Sequence, residues 1–205
     1  VGTGFERLNL TLKTDYDLLP NLRFGASAFV GQNKNDSYLS DTDVFTNPSR
    51  YTRTVNPYLK AYNPDGSYNY DPDMSVSSGD SQSGVLDFNY LEERARTGYT
   101  LKTRSIKTLF DLDYTPVKGL KLYTQFGLQA DNSATEKMAQ ENTYFTRKYA
   151  LNSRINDIVY LPKGGIIQNW NGDMSQYNWK AQAEYSGTLA EKHEIDAMIG
   201  LEMRG

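Results

Sequence analysis

From Tyr177 the chain places an apolar or aromatic residue at every second position, Tyr177, Trp179, Ala181, Ala183, Tyr185, Gly187 and Leu189, with Asn178, Lys180, Gln182, Glu184, Ser186 and Thr188 between them. A period of two is that of a strand whose two faces differ. After the polar stretch Ala190-Glu191-Lys192 the alternation resumes, with Ile195, Ala197, Ile199, Leu201 and Met203 against Glu194, Asp196 and Glu202. Two strands joined by a tight turn are therefore predicted.

The same pattern occurs twice upstream. Leu8, Leu10, Leu12, Tyr16 and Leu18 alternate with polar residues, Leu19-Pro20-Asn21 breaks the run, and Leu22, Phe24, Ala26, Ala28 and Val30 form a second arm. Ile106, Thr108, Phe110, Leu112 and Tyr114 lead into the turn Pro116-Val117-Lys118-Gly119, after which Leu120, Leu122, Thr124, Phe126, Leu128 and Ala130 follow. The pattern thus predicts six strands, over about 5–18, 22–32, 100–114, 120–130, 176–189 and 193–204, separated by long loops over about 33–98 and 131–175. Both loops are rich in Asn, Asp, Ser, Tyr, Pro and Gly, which is turn chemistry at unusual length. Turn signals at Asn63-Pro64-Asp65-Gly66 and Asp71-Pro72 predict a small excursion hairpin within residues 55–73.

Strand length narrows the fold class. Alternation over roughly 12 residues exceeds the ordinary strand of about 5 to 6. At ~3.3 Å per residue such an arm is about 40 Å long, and at a tilt of ~45° it rises about 28 Å, close to the apolar band of a membrane barrel. Short turns at one end and long loops at the other match outer-membrane barrels, whose periplasmic turns are short and extracellular loops long. The expected fold is all-β: an antiparallel up-and-down segment of a transmembrane β-barrel. Leu10, Leu12, Phe24, Ala26, Phe110, Leu122, Phe126, Ala183, Ala197 and Ile199 are then expected to face lipid, and Tyr16, Tyr114, Tyr177, Trp179 and Tyr185, near strand ends, to form an interfacial girdle. A soluble or surface-attached β-sandwich, acting in carbohydrate binding or adhesion, is the alternative.

Composition removes several function classes. The 205 residues include 16 Tyr and 8 Phe but 2 Trp and no Cys, which excludes disulfides, thiol catalysis and cysteine-ligated zinc. The 22 basic and 25 acidic residues are interspersed, so there is no basic footprint for nucleic acid. No apolar run approaches a membrane helix. The first residues, VGTGFERLN, lack the pattern of a signal peptide, so any export signal is expected outside these residues.

Candidate chemistry is sparse. His193 is the only histidine, which leaves neither a multi-imidazole metal site nor an obvious triad. The glycines at 2, 4, 164 and 165 lack phosphate-loop spacing. No enzymatic activity and no cofactor are expected. Asp65, Asp71 and Asp73 are oxygen donors at short spacing that would suit calcium in the loop over 60–75, although turn formation accounts for them equally and the EF-hand pattern is absent. Tyr58, Tyr62, Tyr68, Tyr70 and Trp170 lie in the long loops near Asn and Asp, where aromatic faces and amides suit sugars or peptides as substrates.

Three segments carry a family resemblance: NPYLKAYNPDGSY at 56–68, FDLDYTPVKGLKLYTQFGLQ at 110–129 and YNWKAQAEYSGTLAEKHEIDAMIGLEMRG at 177–205. They resemble the barrel of SusC/RagA-type TonB-dependent outer-membrane transporters. The resemblance implies import of glycan oligomers or peptides across the bacterial outer membrane, with a SusD-like surface lipoprotein and the TonB complex as partners. It also implies that the chain is a fragment, since it shows no plug domain or TonB-binding segment and about six strands cannot close a barrel of the 22-strand kind.

Overall fold

The computed structural model describes residues 3–40, 45–72, 86–155, 158–189 and 193–205. In chain order the elements are β1 (Gly4–Leu19), β2 (Leu22–Ser37), α1 (Pro48–Tyr51), α2 (Tyr90–Arg96), β3 (Thr97–Val117), β4 (Leu120–Ala139), α3 (Tyr144–Asn152), β5 (Arg154–Ile155), β6 (Ile158–Val159), β7 (Ile166–Leu189) and β8 (His193–Arg204). β5 and β6 pair only with each other, while the six long strands form one antiparallel up-and-down sheet in the order β1-β2-β3-β4-β7-β8. No described helix is long and apolar enough to cross a membrane.

The alternation becomes two faces through register. Along β7 and β8, Trp179 stands opposite Met203, Ala181 opposite Leu201, Ala183 opposite Ile199 and Tyr185 opposite Ala197. The intervening pairs are Asn178 with Arg204, Lys180 with Glu202, Gln182 with Gly200, Glu184 with Met198, Ser186 with Asp196 and Thr188 with Glu194. Directly opposed residues share a face, so this hairpin is apolar on one side and, apart from Met198 and Gly200, polar on the other. Its connecting residues, 190–192, lie outside the described residues.

The other strands repeat the division. On the apolar side the rings of Phe24 and Phe110 stack with centroids 6.4 Å apart, and Trp179 donates its indole N–H to Thr124 Oγ1 at 3.0 Å. On the polar side Arg23 pairs with Asp15 at 3.3 Å and Lys121 with Asp113 at 3.1 Å. The turns are tied to the next strand: Thr115 N–H donates to Asn21 O at 2.8 Å, and Ser186 N–H donates to Gly119 O at 2.8 Å. Gly119 has φ +90, and a Cβ there would lie 2.3 Å from Ser186 O, so glycine is needed for both conformation and space.

The strands outrun their apolar alternation on the long-loop side. β2 continues to Ser37, β3 begins at Thr97, β4 continues to Ala139 and β7 begins at Ile166, so the connections shrink to 38–96 and 140–165. In these extensions polar side chains take over: Asn33 Nδ2 donates to Thr103 Oγ1 at 3.2 Å, Thr100 Oγ1 to Asp36 Oδ1 at 2.7 Å, and Asn132 Nδ2 to Asp173 Oδ1 at 2.6 Å. A strand that is polar on both faces carries no alternation to read.

The chain falls into two compact units. The first comprises Val1–Phe5, Lys34–Leu101 and Ala134–Trp170, the second Glu6–Asn33, Lys102–Ser133 and Asn171–Gly205. The first is not loose loop. Leu86, Phe88 and Tyr144 form a buried cluster on which Phe45, Tyr51, Tyr90 and Leu151 pack. Phe45 stacks on Tyr144 at 4.2 Å, Tyr51 stacks on Tyr90 at 4.7 Å, and Phe88 meets Phe45, Tyr51 and Tyr144 edge-on at 5.3 to 5.5 Å. Such aromatic pairs contribute roughly 0.5–1.5 kcal/mol each beyond burial.

Candidate functional site

In the first unit the predicted excursion hairpin forms over 62–68. Tyr62 and Tyr68 bridge across it, and their rings stack at 5.5 Å. Asn63 N–H donates to Ser67 O at 2.8 Å, Gly66 N–H donates to Asn63 O at 3.0 Å, and Gly66 takes φ +85. Asp65 Oδ1 accepts from both the hydroxyl and the N–H of Ser67, at 2.7 and 3.0 Å, and these bonds hold its carboxyl below the usual carboxylate range.

The hairpin is held from beneath by Asn89. This buried amide donates to Ala61 O at 2.8 Å and Asn69 O at 2.7 Å, while its Oδ1 caps α2 by accepting from Leu91 N–H at 2.9 Å and Glu92 N–H at 3.1 Å. Asp71 is buried too and accepts from the Tyr51 phenol at 3.0 Å. Burial and that carboxylate push the phenol well above its ordinary range.

The five aromatic residues expected to meet substrate are therefore partly assembled. Tyr62 and Tyr68 make one stacked pair, with Tyr62 exposed and Tyr68 half-buried. Tyr58 is 90% exposed. Tyr70 is exposed, and burial of its phenol raises its pKa. Trp170 stands apart from that pair in a cation–π contact, with Lys137 Nζ 5.3 Å from its ring centroid and 5.9 Å from that of Tyr99.

For calcium the geometry gives little. Asp65 is engaged within its turn and Asp71 with Tyr51, while Asp73 lies outside the described residues. Among the described residues no group of three or more metal-ligating side chains gathers. His193 is exposed at the start of β8.

The second unit carries its own surface features. Leu12, Ala26 and Phe110 line a shallow groove on the apolar face, and Leu122, Ala183 and Ile199 line another. These side chains are uncovered to different degrees, from half-buried Ala26 and Ala183 to Ile199 at 75% exposed. A larger concavity of about 810 Å³ is lined by Thr11, Ser27, Phe29, Lys107, Gln129 and Asn178. Leu109, Leu128, Met174 and Tyr177 line it beside Phe29, and Lys107 and Arg204 both border it, so apolar and polar side chains are mixed over its surface.

No protein-family model matches the chain, and no curated protein matches it significantly. Solved structures do. The fold recurs in chains of the RagAB peptide importer. The structure of that importer in the "closed-closed" state matches with a TM-score of 0.61 at 17% identity, over 97% of this chain and 20% of that one. The RagAB peptide transporter structure gives 0.61 at 16% identity, over 98% and 20%. The importer in the "open-open" state gives 0.60 at 17% identity, over 97% and 20%. This chain spans about a fifth of the length of those chains, and at such identity the likeness is one of fold.

Several residues that shape the first unit are absent from the sequence expectations. Phe45, Tyr51, Phe88 and Tyr144 meet only through tertiary contact. Asn89 had a local signal: an Asn followed three residues later by Glu92 is a helix-start pattern.

Proposed function

We propose that this chain is part of the wall and loop region of a TonB-dependent outer-membrane transporter of the SusC/RagA type, importing peptides or glycan oligomers and performing no chemistry on them. The observation that carries the reading is the β7–β8 register, which sets Ala183 against Ile199 on an uncovered apolar face and Lys180 against Glu202 on the polar one. In a barrel wall the first face meets lipid and the second meets the hydrated interior. The fold likeness to a peptide importer favours peptides among the substrates. The resemblance of residues 56–68, 110–129 and 177–205 adds a SusD-like surface lipoprotein and the TonB complex as partners of the whole protein, in the outer membrane of a bacterium. Exposed Tyr58 and Tyr62, with half-buried Tyr68 stacked on Tyr62, are the aromatic surface on which substrate would first settle.

The test uses the whole protein that contains this chain, reconstituted in lipid, with spin labels on Leu12→Cys and Ile199→Cys and on Gln125→Cys and Gln182→Cys. The first pair should report lipid access and the second water access. Equal access at all four sites would sink the reading, and a first pair shielded from both lipid and water would favour a soluble sandwich.

A further inference from the structure

The two long connections are joined by one buried carboxyl. Glu93, on α2 in the connection over 38–96, is 1% exposed. Its Oε1 accepts from the backbone N–H of Tyr144, and its Oε2 accepts from that of Phe145 at 3.4 Å. Tyr144 opens α3, in the connection over 140–165. The first N–H groups of a helix have no partner within it. Here Thr143 Oγ1 accepts from Thr146 N–H at 3.2 Å, and the preceding two N–H groups are met by a residue 51 positions upstream in sequence from Tyr144.

The backbone that carries this carboxyl is held on its own side. Asn89 caps α2, and Thr97 Oγ1 donates to Glu93 O at 2.6 Å. Arg147 of α3 strengthens the same junction, donating Nε–H to Leu86 O at 2.9 Å and its other N–H groups to Asp87 O and Asn142 O. Its donors go to carbonyls, and Glu93 is in no ion pair among the described residues. The charged groups acting on Glu93 are Arg147, from α3, and Glu92, from α2 itself. Glu92 is also buried and pairs with Arg96 at 2.9 Å. When ionised, Glu93 is thus a charge opposed above all by its burial and least by the Glu92 carboxylate, and supported by two N–H groups and the Arg147 guanidinium. When protonated, it still offers a carbonyl oxygen to α3 without that burial cost.

We propose that Glu93 is a proton-operated latch between the two long connections, tightening the seat of α3 as the medium becomes mildly acidic and loosening it as the pH rises past neutral. Burial, outweighing the N–H bonds, raises its pKa from the ordinary 4.5 to about 7. The folded unit therefore holds the proton more tightly than an opened one does. The stabilisation is complete below the ordinary value, declines as pH rises between the two values and is lost above about 7. This inference concerns the first unit alone and does not rest on the transport reading.

The experiment is hydrogen–deuterium exchange on the whole protein, folded in detergent, following α3 from pH 5 to pH 8 with intrinsic exchange rates divided out. In the unmodified protein the opening equilibrium of α3 should rise by up to about a hundredfold across that range. In Glu93→Gln, which keeps a carbonyl acceptor but cannot ionise, the dependence should vanish. A flat profile in the unmodified protein, or an unchanged slope in Glu93→Gln, overturns the latch. Should Glu93→Gln fail to fold, infrared spectroscopy of the unmodified protein decides: a protonated-carboxyl band that grows as pH falls through neutral supports the latch, and its absence overturns it.

Discussion

Ala183 of β7 stands directly opposite Ile199 of β8, and one residue away Gln182 stands opposite Gly200 on the other face. This adjacency makes the faces separable by substitution. If the apolar face meets lipid, Ile199→Arg or Leu12→Arg should cost about 2–4 kcal/mol near mid-bilayer. Gln182→Asn on the polar face should stay within about 0.5 kcal/mol. Denaturant titration of the whole protein folding into vesicles measures both, and similar costs on the two faces would refute the assignment.

Strand order fixes a second outcome. The turns at 20–21 and 118–119 follow upward strands of an up-and-down set, and the connections at 38–96 and 140–165 follow downward ones. In intact cells an impermeant thiol reagent should label Tyr68→Cys and Asn152→Cys and spare Pro20→Cys and Lys118→Cys. Labelling of the turn sites alone would reverse the orientation.

Asn89 should be the most sensitive single position beneath the aromatic hairpin. Asn89→Ala removes a helix cap, worth about 0.5–2 kcal/mol, and strips donors from two carbonyls, at about 1–3 kcal/mol where they become buried and unpaired. Asn89→Asp keeps the cap but sets a buried carboxylate oxygen against both carbonyls, so the damage should rise from the unmodified protein through Asn89→Ala to Asn89→Asp. Protease cleavage rates within 38–96 should rank the three proteins in that order.

Two glycines with similar φ separate conformation from space. Around Gly66, at +85, nothing lies within 4 Å of the place a Cβ would occupy, whereas at Gly119, at +90, the added Cβ meets Ser186 O. Gly66→Ala should cost about 1–2 kcal/mol through backbone conformation alone. Gly119→Ala should cost more, because a backbone oxygen of β7 must also move. Unfolding midpoints of the two variants provide the comparison, and equal shifts would show that the turn at 118–119 yields.

The alternation by itself determined six strands, their order of appearance, the short turns at Pro20 and Lys118, and which residues share a face, because side-chain direction in a strand depends only on position along the chain. It did not show that β2, β3, β4 and β7 continue past the alternation, into stretches where bonds such as Thr100 to Asp36 hold the pairing. Nor did it show that the connections have a core. Phe45, Phe88 and Tyr144 are each unremarkable in their neighbourhoods, and Glu93 resembles any helix-surface glutamate. Only the folded chain brings those rings together and sets that carboxyl on the start of α3, because contacts between distant segments leave no periodic trace in either one.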